Sequence, residues 1–364
     1  MRRLPVFFLL DVSESMVGDN LDHLEQGLAQ LVRVLRTDPH ALETVHISVV
    51  AFAGQARLLA SLIELAAFYP PQLPVGSGTA LGKALNFLMD EMTRVVRRNN
   101  PSEKGDWKPI IFLITDGKPT DEIRPALRRW QAHYRPHANL VAISIGRNSD
   151  LQALRELTDY VMVFEESQQN DFRRCLQWVT DSIRSQSRSV VQLGSDALNL
   201  AKQEAIFSLE TGKPARALDL IDERYAIFTG KCQKKQQLYL VKYEALPDEV
   251  AAEVARLLAE RGAAPPSGSG KLYHLIGAWP VKNDYFEMSD NLPKPQTISP
   301  TQLDRIPGCP QCTSRYALAG CPQCGKIFCL DDPGEQICAW CSASLFSAAA
   351  QEGEPLDGLV RSRG

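Results

Sequence analysis

The 364-residue chain has no run approaching the ~20 consecutive apolar residues that a membrane-spanning helix requires. It also has little net charge. Forty Lys and Arg against 43 Asp and Glu leave −3, so neither nucleic acid nor an anionic membrane has an electrostatic reason to bind. Enzyme signatures are missing as well: no Gly-x-x-x-x-Gly-Lys-Ser/Thr phosphate loop, no His-Glu-x-x-His and no Gly-x-Ser-x-Gly. Gly76-x-Gly78 is too short for a dinucleotide fingerprint, and the six histidines are scattered. The opening Met1-Arg-Arg-Leu-Pro-Val-Phe-Phe-Leu-Leu10 has the outline of a signal peptide. Pro5 interrupts its apolar run, Asp11 stops it, and no small-residue cleavage site follows. Cysteine is scarce until late in the chain, where seven of the nine fall between Cys309 and Cys341. Without an export signal these thiols are expected to be reduced and to hold metal, and the protein is expected to be cytoplasmic.

What is present is an ordinary soluble composition, 44% hydrophobic and 23% charged, in a length that suits two domains. Up to about residue 185, strand-like and helix-like stretches alternate. Strands are predicted over 5–10, 45–52, 57–59, 110–115, 140–145 and 160–164. Between them, apolar residues recur at helical spacing over 21–36, 80–98, 121–134, 150–157 and 171–185. Leu21, Leu24, Leu28, Leu31 and Leu35 share one helical face, which core packing explains fully. The run Ile110-Ile-Phe-Leu-Ile114 is apolar throughout, as a strand buried on both faces must be. The pattern predicts an α/β fold with a doubly wound, mostly parallel sheet, in which ligands bind beyond the carboxyl ends of the strands.

Later the pattern changes. Helices are expected over 196–209, 214–223 and 248–261, and strands over 226–228 and 238–244. A loop is expected over 263–270, aromatic β-character over 273–288, an extended segment over 293–307, and a disordered tail over 347–364.

Two clusters carry chemistry. The first begins where the first predicted strand ends, at Asp11-Val-Ser13-Glu-Ser15. One carboxylate and two hydroxyls at one point are hard oxygen ligands of low net charge, which suit Mg²⁺. Thr79, in the loop Gly76-Ser-Gly-Thr79, and Asp116, after the strand over 110–115, can complete the cluster. Helix caps and turn aspartates are the simpler reading of each residue taken alone. A haloacid-dehalogenase-type phosphotransferase also places an aspartate after its first strand, but its chemistry requires Asp-x-Asp. Here the second position is Ser13, which cannot supply the acid.

The second cluster comprises three Cys-x-x-Cys turns, Cys309/Cys312, Cys321/Cys324 and Cys338/Cys341, with Cys329 between the second and third. Two such turns complete a tetrahedral Zn²⁺ site. Seven thiols exceed one site and fall one short of two. Either one site has spare thiols, or a second borrows an eighth ligand, for which Cys232 and His274 are candidates. A small, loop-rich segment of this kind needs the metal to fold. Zinc turns also bind nucleic acid in other proteins, but here they are flanked by Asp331, Asp332 and Glu335 with few basic residues.

Asp11-x-Ser13-x-Ser15, Thr79 and Asp116 together resemble the metal-ion-dependent adhesion site of von Willebrand factor A domains, over roughly residues 4–185. The resemblance implies Mg²⁺ (or Mn²⁺ or Ca²⁺) bound directly by Ser13, Ser15 and Thr79. Asp11 and Asp116 would orient the site and balance its charge, and a carboxylate from a partner protein would fill the remaining position. With Phe228-Thr-Gly-Lys-Cys232-Gln, Tyr285-Phe286, Cys-Gly-Lys-Ile-Phe-Cys329 and Cys338-x-Trp-Cys341, the whole chain resembles the TerY family of bacterial tellurite-resistance and stress systems. That implies a non-enzymatic adaptor with one or two Zn²⁺, linked to a Ser/Thr protein kinase and a metal-dependent (PP2C-type) protein phosphatase. Delivery of clients to an AAA-type ATPase is an alternative. The expected boundaries are 1–187 for the A domain, 188–224 for a helical linker, 225–346 for the zinc-binding domain and 347–364 for the tail.

Overall fold

The structure, a computed structural model, describes residues 2–145, 151–164, 171–192, 197–201, 207–208, 224–260, 271–282, 284–290, 296–331, 336–345 and 358–362. The chain divides into two compact units, Met1–Leu220 with Glu287–Asp290, and Ile221–Phe286 with Asn291–Gly364.

In the first unit the elements run β1 (Leu4–Asp11), α1 (Asp19–Leu35), α2 (Pro39–Thr44), β2 (Val45–Phe52), β3 (Ala56–Glu64), α3 (Leu81–Val95), β4 (Ile110–Thr115), α4 (Arg124–His133), β5 (Asn139–Ile145), α5 (Leu151–Leu157), β6 (Tyr160–Phe164), α6 (Asp171–Gln192) and β7 (Phe207–Ser208). Seven strands form one sheet in the order β3-β2-β1-β4-β5-β6-β7. The five central strands are parallel, and β3 and β7 pair antiparallel at the edges.

The central strands are apolar on both faces because each feeds two cores. In β1, Leu4, Val6, Phe8 and Leu10 face the core shared with α1 and α6. The alternate residues Phe7 and Leu9 face the core shared with α3, α4 and α5. Ile110, Phe112 and Ile114 join the first of these in β4, and Ile111 and Leu113 the second. This two-residue alternation places successive side chains on opposite faces of a pleated strand. Leu24, Leu28, Leu31 and Leu35 of α1 are all buried on one face, as their spacing predicts. Asp38 caps α2, accepting from His40 N–H at 3.0 Å and Ala41 N–H at 3.3 Å, and it binds Arg188 Nη2 of α6 at 2.7 Å.

Glu287–Asp290 belongs to this unit. Met288 is buried in the α1/α6 core, its carbonyl accepting from Gln55 N–H at 3.0 Å. Asp290 N–H donates to Ser77 O at 3.0 Å, and Ser77 N–H donates to Ser289 Oγ at 2.9 Å. Gly54 and Gly76 leave room for this segment. A Cβ on Gly76 would stand 2.6 Å from Met288, and one on Gly54 2.1 Å from the Asp290 nitrogen.

The second unit contains β8 (Tyr225–Lys231), β9 (Leu238–Ala245), α7 (Asp248–Glu260), β10 (Tyr273–Pro280), α8 (Tyr285–Met288, whose last two residues are counted with the first unit), β11 (Gln296–Ile298), β12 (Tyr316–Gly320), β13 (Ile327–Leu330), β14 (Gln336–Ile337), β15 (Ser344–Leu345) and β16 (Leu359–Arg361). Five strands form a sheet in the order β10-β9-β8-β13-β12, and β11 pairs with β16 and β14 with β15.

Two expectations are corrected, and a third is left untouched. Where the tail was expected to be disordered, Leu359–Arg361 form a strand antiparallel to Gln296–Ile298, and Leu359 enters the core of the unit. The helix expected over 196–209 is absent from its described residues. Residues 197–201 are irregular, and Phe207–Ser208 extend the main sheet. The helix expected over 214–223 lies outside the described residues. Among the described residues no helix is long and apolar enough to cross a membrane.

Candidate functional site

The first unit brings the predicted oxygen ligands together at the carboxyl ends of β1 and β4. Ser13 N–H donates to Asp11 Oδ1 at 2.9 Å, which turns the chain sharply as it leaves β1. The Ser13 and Ser15 hydroxyl oxygens lie 2.9 Å apart, and Ser15 Oγ donates to Asp116 Oδ1 at 2.8 Å. Thr79 lies against the Asp116-Gly117 turn, and a Cβ at Gly117 would stand 3.1 Å from the Thr79 hydroxyl. All five residues are at most 4% exposed.

Three threonines and aspartates that the sequence does not single out hold this arrangement. Thr115 Oγ1 donates to Asp11 Oδ2 at 2.5 Å, fixing that carboxylate from the neighbouring strand. Thr120 locks the Thr79 loop from both sides: Thr79 N–H donates to Thr120 Oγ1, and Thr120 N–H donates to Thr79 O, each at 2.9 Å. Asp121 accepts from Gly82 N–H at 3.0 Å and Lys83 N–H at 2.9 Å, so it caps α3 in place of a local residue. None of the three follows a local motif, because each bonds a segment far from it in sequence.

Two buried carboxylates share this cluster. Burial, with the Asp116 charge adding to it, pushes the Asp11 carboxyl up to about 7. A cation between the two would remove that penalty, and two carboxylates with three hydroxyls are a donor set that hard divalent ions accept.

In the second unit, eight cysteines form two groups of four. Cys232, Cys309, Cys312 and Cys329 make one, and Cys321, Cys324, Cys338 and Cys341 the other, with all sulfurs of a group within 4.8 Å of one another. Four sulfurs at ~2.3 Å from one tetrahedral zinc must lie ~3.8 Å apart. The Cys312–Cys329 and Cys321–Cys341 sulfurs are 3.7 Å apart, and the Cys324–Cys338 pair 3.8 Å. Burial pushes the Cys329 thiol up to about 11, whereas at its neighbour Cys312 burial is outweighed by hydrogen bonds, led by Ser314, that pull the thiol down to about 7. By their spacing, both groups fit a tetrahedral metal.

Cys232, and not His274, completes a second group of four sulfurs. His274 instead binds Asp304, Nδ1 to Oδ2 at 2.6 Å. The backbone shows a regularity that the cysteine spacing hides. After Cys232, Cys309, Cys321 and Cys338, the fourth residue on donates its N–H to the cysteine carbonyl, at 2.8–3.0 Å. Those four residues, Gln236, Thr313, Gly325 and Ser342, all have φ between 56° and 69°. There are thus four copies of one turn, and the first lacks its second cysteine. Lys235 stands in that place, and Cys329 from β13 supplies the missing sulfur. The ninth cysteine, Cys175, is buried in the α6 core, where desolvation pushes its thiol up to about 12.

The fold of the first unit is that of a von Willebrand factor type A domain, and the profile of that family matches residues 6–177. The profile of the TerY-C metal binding domain matches residues 222–364. The chain is a TerY-type protein, an A domain followed by a TerY-C domain. No curated protein matches significantly. Solved structures that match include the ArnB paralog VWA2 from Sulfolobus acidocaldarius, at 18% identity and a TM-score of 0.37, covering 50% of this chain and 45% of that one. Proximal thread matrix protein 1 from the mussel byssus, solved with a zinc-occupied MIDAS motif, matches at 18% identity and a TM-score of 0.37, over 51% and 46%. BatB from Bacteroides thetaiotaomicron matches at 14% and 0.34, over 52% and 98%. The chain thus spans under half the length of the first two. Likenesses this remote carry no functional argument.

Proposed function

We propose that the protein is a non-enzymatic adaptor that captures a carboxylate of a partner protein through Mg²⁺. The ion would be held by Ser13, Ser15 and Thr79, with Asp11 and Asp116 balancing its charge. The observation that carries this reading is the continuous chain Asp11–Ser13–Ser15–Asp116, which converges two buried carboxylates and two hydroxyls at the carboxyl ends of the central strands. A cation in this set keeps electrophilic character, because three of its five protein donors are neutral, and so favours an incoming anion. One such contact gives modest affinity, and a surrounding interface must supply the rest. The two cysteine groups support one Zn²⁺ each, with a structural role, since all four positions of each tetrahedron are filled by protein. Closed zinc sites would leave none of these eight thiols for redox chemistry.

A place in a tellurite-resistance or stress system, a cytoplasmic location, and a protein kinase and a metal-dependent phosphatase as partners follow from the TerY resemblance and complete the proposal. The test is affinity capture from source-cell lysate with wild type and Asp116→Ala, each with and without Mg²⁺, with bound zinc measured in parallel. A kinase or phosphatase retained only by wild type in Mg²⁺ is the expected outcome. An identical set of partners under every condition would remove the Mg²⁺ site from the mechanism.

A further inference from the structure

The first unit has a second concave site, at the opposite end of the sheet from the oxygen ligands. A cavity of about 860 Å³ lies between the carboxyl ends of α3 and α4 and the segment that leads into β4. β4 alone is six residues long, so this cavity and Asp116 are about 20 Å apart. Arg2, Arg97, Arg98, Lys108 and Arg129 line it. The imidazoles of His133 and His137 add to the same wall, and Asp106 is the only carboxylate among the lining residues.

This balance runs against the composition of the chain, in which acids outnumber bases. Asp106 does not neutralise the wall either. Its oxygens accept from Arg3, at 2.9 Å from Nε and 2.6 Å from Nη2, and from Arg97 N–H at 2.8 Å. Cations gather at helix carboxyl ends to meet the exposed carbonyls there, and that is the simplest structural account of such a cluster. Arg3 meets Val95 O at 2.8 Å in this way. The lining arginines are disposed otherwise. Arg2 donates to Gly105 O and Asp106 O while its guanidinium lies 3.6 Å over the Trp107 ring, and Arg129 donates to Asn86 and forms an ion pair with Asp90 that offsets its charge. Both are thereby fixed in place. Arg97 and Arg98 are exposed, and among the described residues neither guanidinium meets a carboxylate.

We infer that this cavity is a binding site for a small molecule carrying two or more phosphate groups. Guanidinium forks match phosphate oxygens in pairs, and several converging on one concavity select for charge density greater than a single carboxylate carries. The volume suits a small ligand. The two fixed arginines would form the floor of the site, and Arg97 and Arg98 would close on the anion from the rim. The site is separate from the metal-dependent one, so its occupancy requires no Mg²⁺.

The test is equilibrium dialysis of the full chain in Mg²⁺-free buffer at constant ionic strength, against ATP, sodium tripolyphosphate or tetraglutamate. The double variant Arg97→Glu/Arg98→Glu is compared with wild type, and circular dichroism and zinc content verify its fold. The milder Arg97→Gln/Arg98→Gln serves if the reversal unfolds. Saturable binding of one ATP or tripolyphosphate per chain, weakened by about tenfold or more in the charge-reversed protein, is expected. Equal affinities would assign recognition to the phosphates alone, and tighter ATP binding would add a contact to the nucleoside. Absence of saturable binding, undiminished binding by the variant, or tetraglutamate binding as tightly as tripolyphosphate would overturn the inference.

Discussion

Ser15 and Asp116, 101 positions apart in sequence, are joined by a 2.8 Å hydrogen bond from the hydroxyl to the carboxylate. This bond ties the loop after β1 to the loop after β4 at the carboxyl ends of the two strands, where the ligand cluster lies. It also brings the Asp116 charge near Asp11, whose carboxyl burial already disfavours as an anion.

Replacing Asp116 with Asn keeps an acceptor for Ser15 and removes one of the two charges. The metal-free variant is therefore expected to be at least as stable as metal-free wild type. Mg²⁺ should raise the melting temperature of wild type by mass action and leave that of Asp116→Asn nearly unchanged. Thermal unfolding with and without Mg²⁺ checks both halves. A metal-free variant markedly less stable than wild type would show that the carboxylate is needed for folding and not for the ion.

Zinc content separates the two candidates for the eighth ligand. Wild type should carry two zinc ions per chain. Cys232→Ser should lose about one of them, and His274→Ala should keep both, because His274 serves Asp304. Elemental analysis after gel filtration reads the ratio directly.

The four cysteine turns differ in how well their residues tolerate the left-handed backbone. Thr313 adopts it at φ 61°, where a β-branched side chain is strained, so Thr313→Gly should stabilise the second unit by about 1 kcal/mol. Gly325 adopts it at φ 69° with open space around its Cα, and Gly325→Ala should cost about 1 kcal/mol through the backbone alone. Resistance to unfolding in denaturant, at fixed zinc, measures both.

Asp38 links α2 to α6. Burial works to raise its carboxyl, but hydrogen bonds from Arg188, Ala41 N–H and Arg184 outweigh it and hold the group below its ordinary 3.8. A depressed carboxyl contributes stability that is present above the unfolded-state value and is lost as pH falls through the folded one. Wild type should therefore lose this contribution progressively as pH falls below about 4, the range in which a free carboxyl takes up its proton. Asp38→Asn should be destabilised by roughly 1–3 kcal/mol at neutral pH and show a shallower loss in acid. Denaturant midpoints at pH 7 and pH 3 decide the matter.

Much of the first unit was legible because its strands are buried on both faces. Runs such as Ile110–Thr115 and Leu4–Asp11 admit no other placement, and the oxygen ligands follow directly from where these strands end. β3 is longer than the predicted 57–59 because it is an edge strand of half-exposed residues, which blunts the alternation. The six-residue α2 is too short for helical periodicity and is marked only by the Asp38 cap and Pro39. Cys232 was legible only as a candidate, because its turn retains the backbone of a Cys-x-x-Cys pair without the second cysteine. The strand Leu359–Arg361 sits in a segment of small and polar residues, where pairing with a distant strand outweighs composition.

The hydrogen bond between Ser77 and Ser289 spans 212 positions. Ser77 lies in the loop that carries Thr79, so one wall of the adhesion site rests on residues made long after the sheet is complete. Ser289 follows the last strand of the sheet, which ends at Ser208, by 81 positions, so at ribosomal rates of about 5–20 residues per second that interval is roughly 4–16 s. Throughout it, the newborn A domain holds its core strands and both aspartates but lacks the segment that packs behind Gly54 and Gly76. Under the proposed function, competence to grip a partner therefore arrives late in synthesis, when most of the chain that follows the A domain has already emerged.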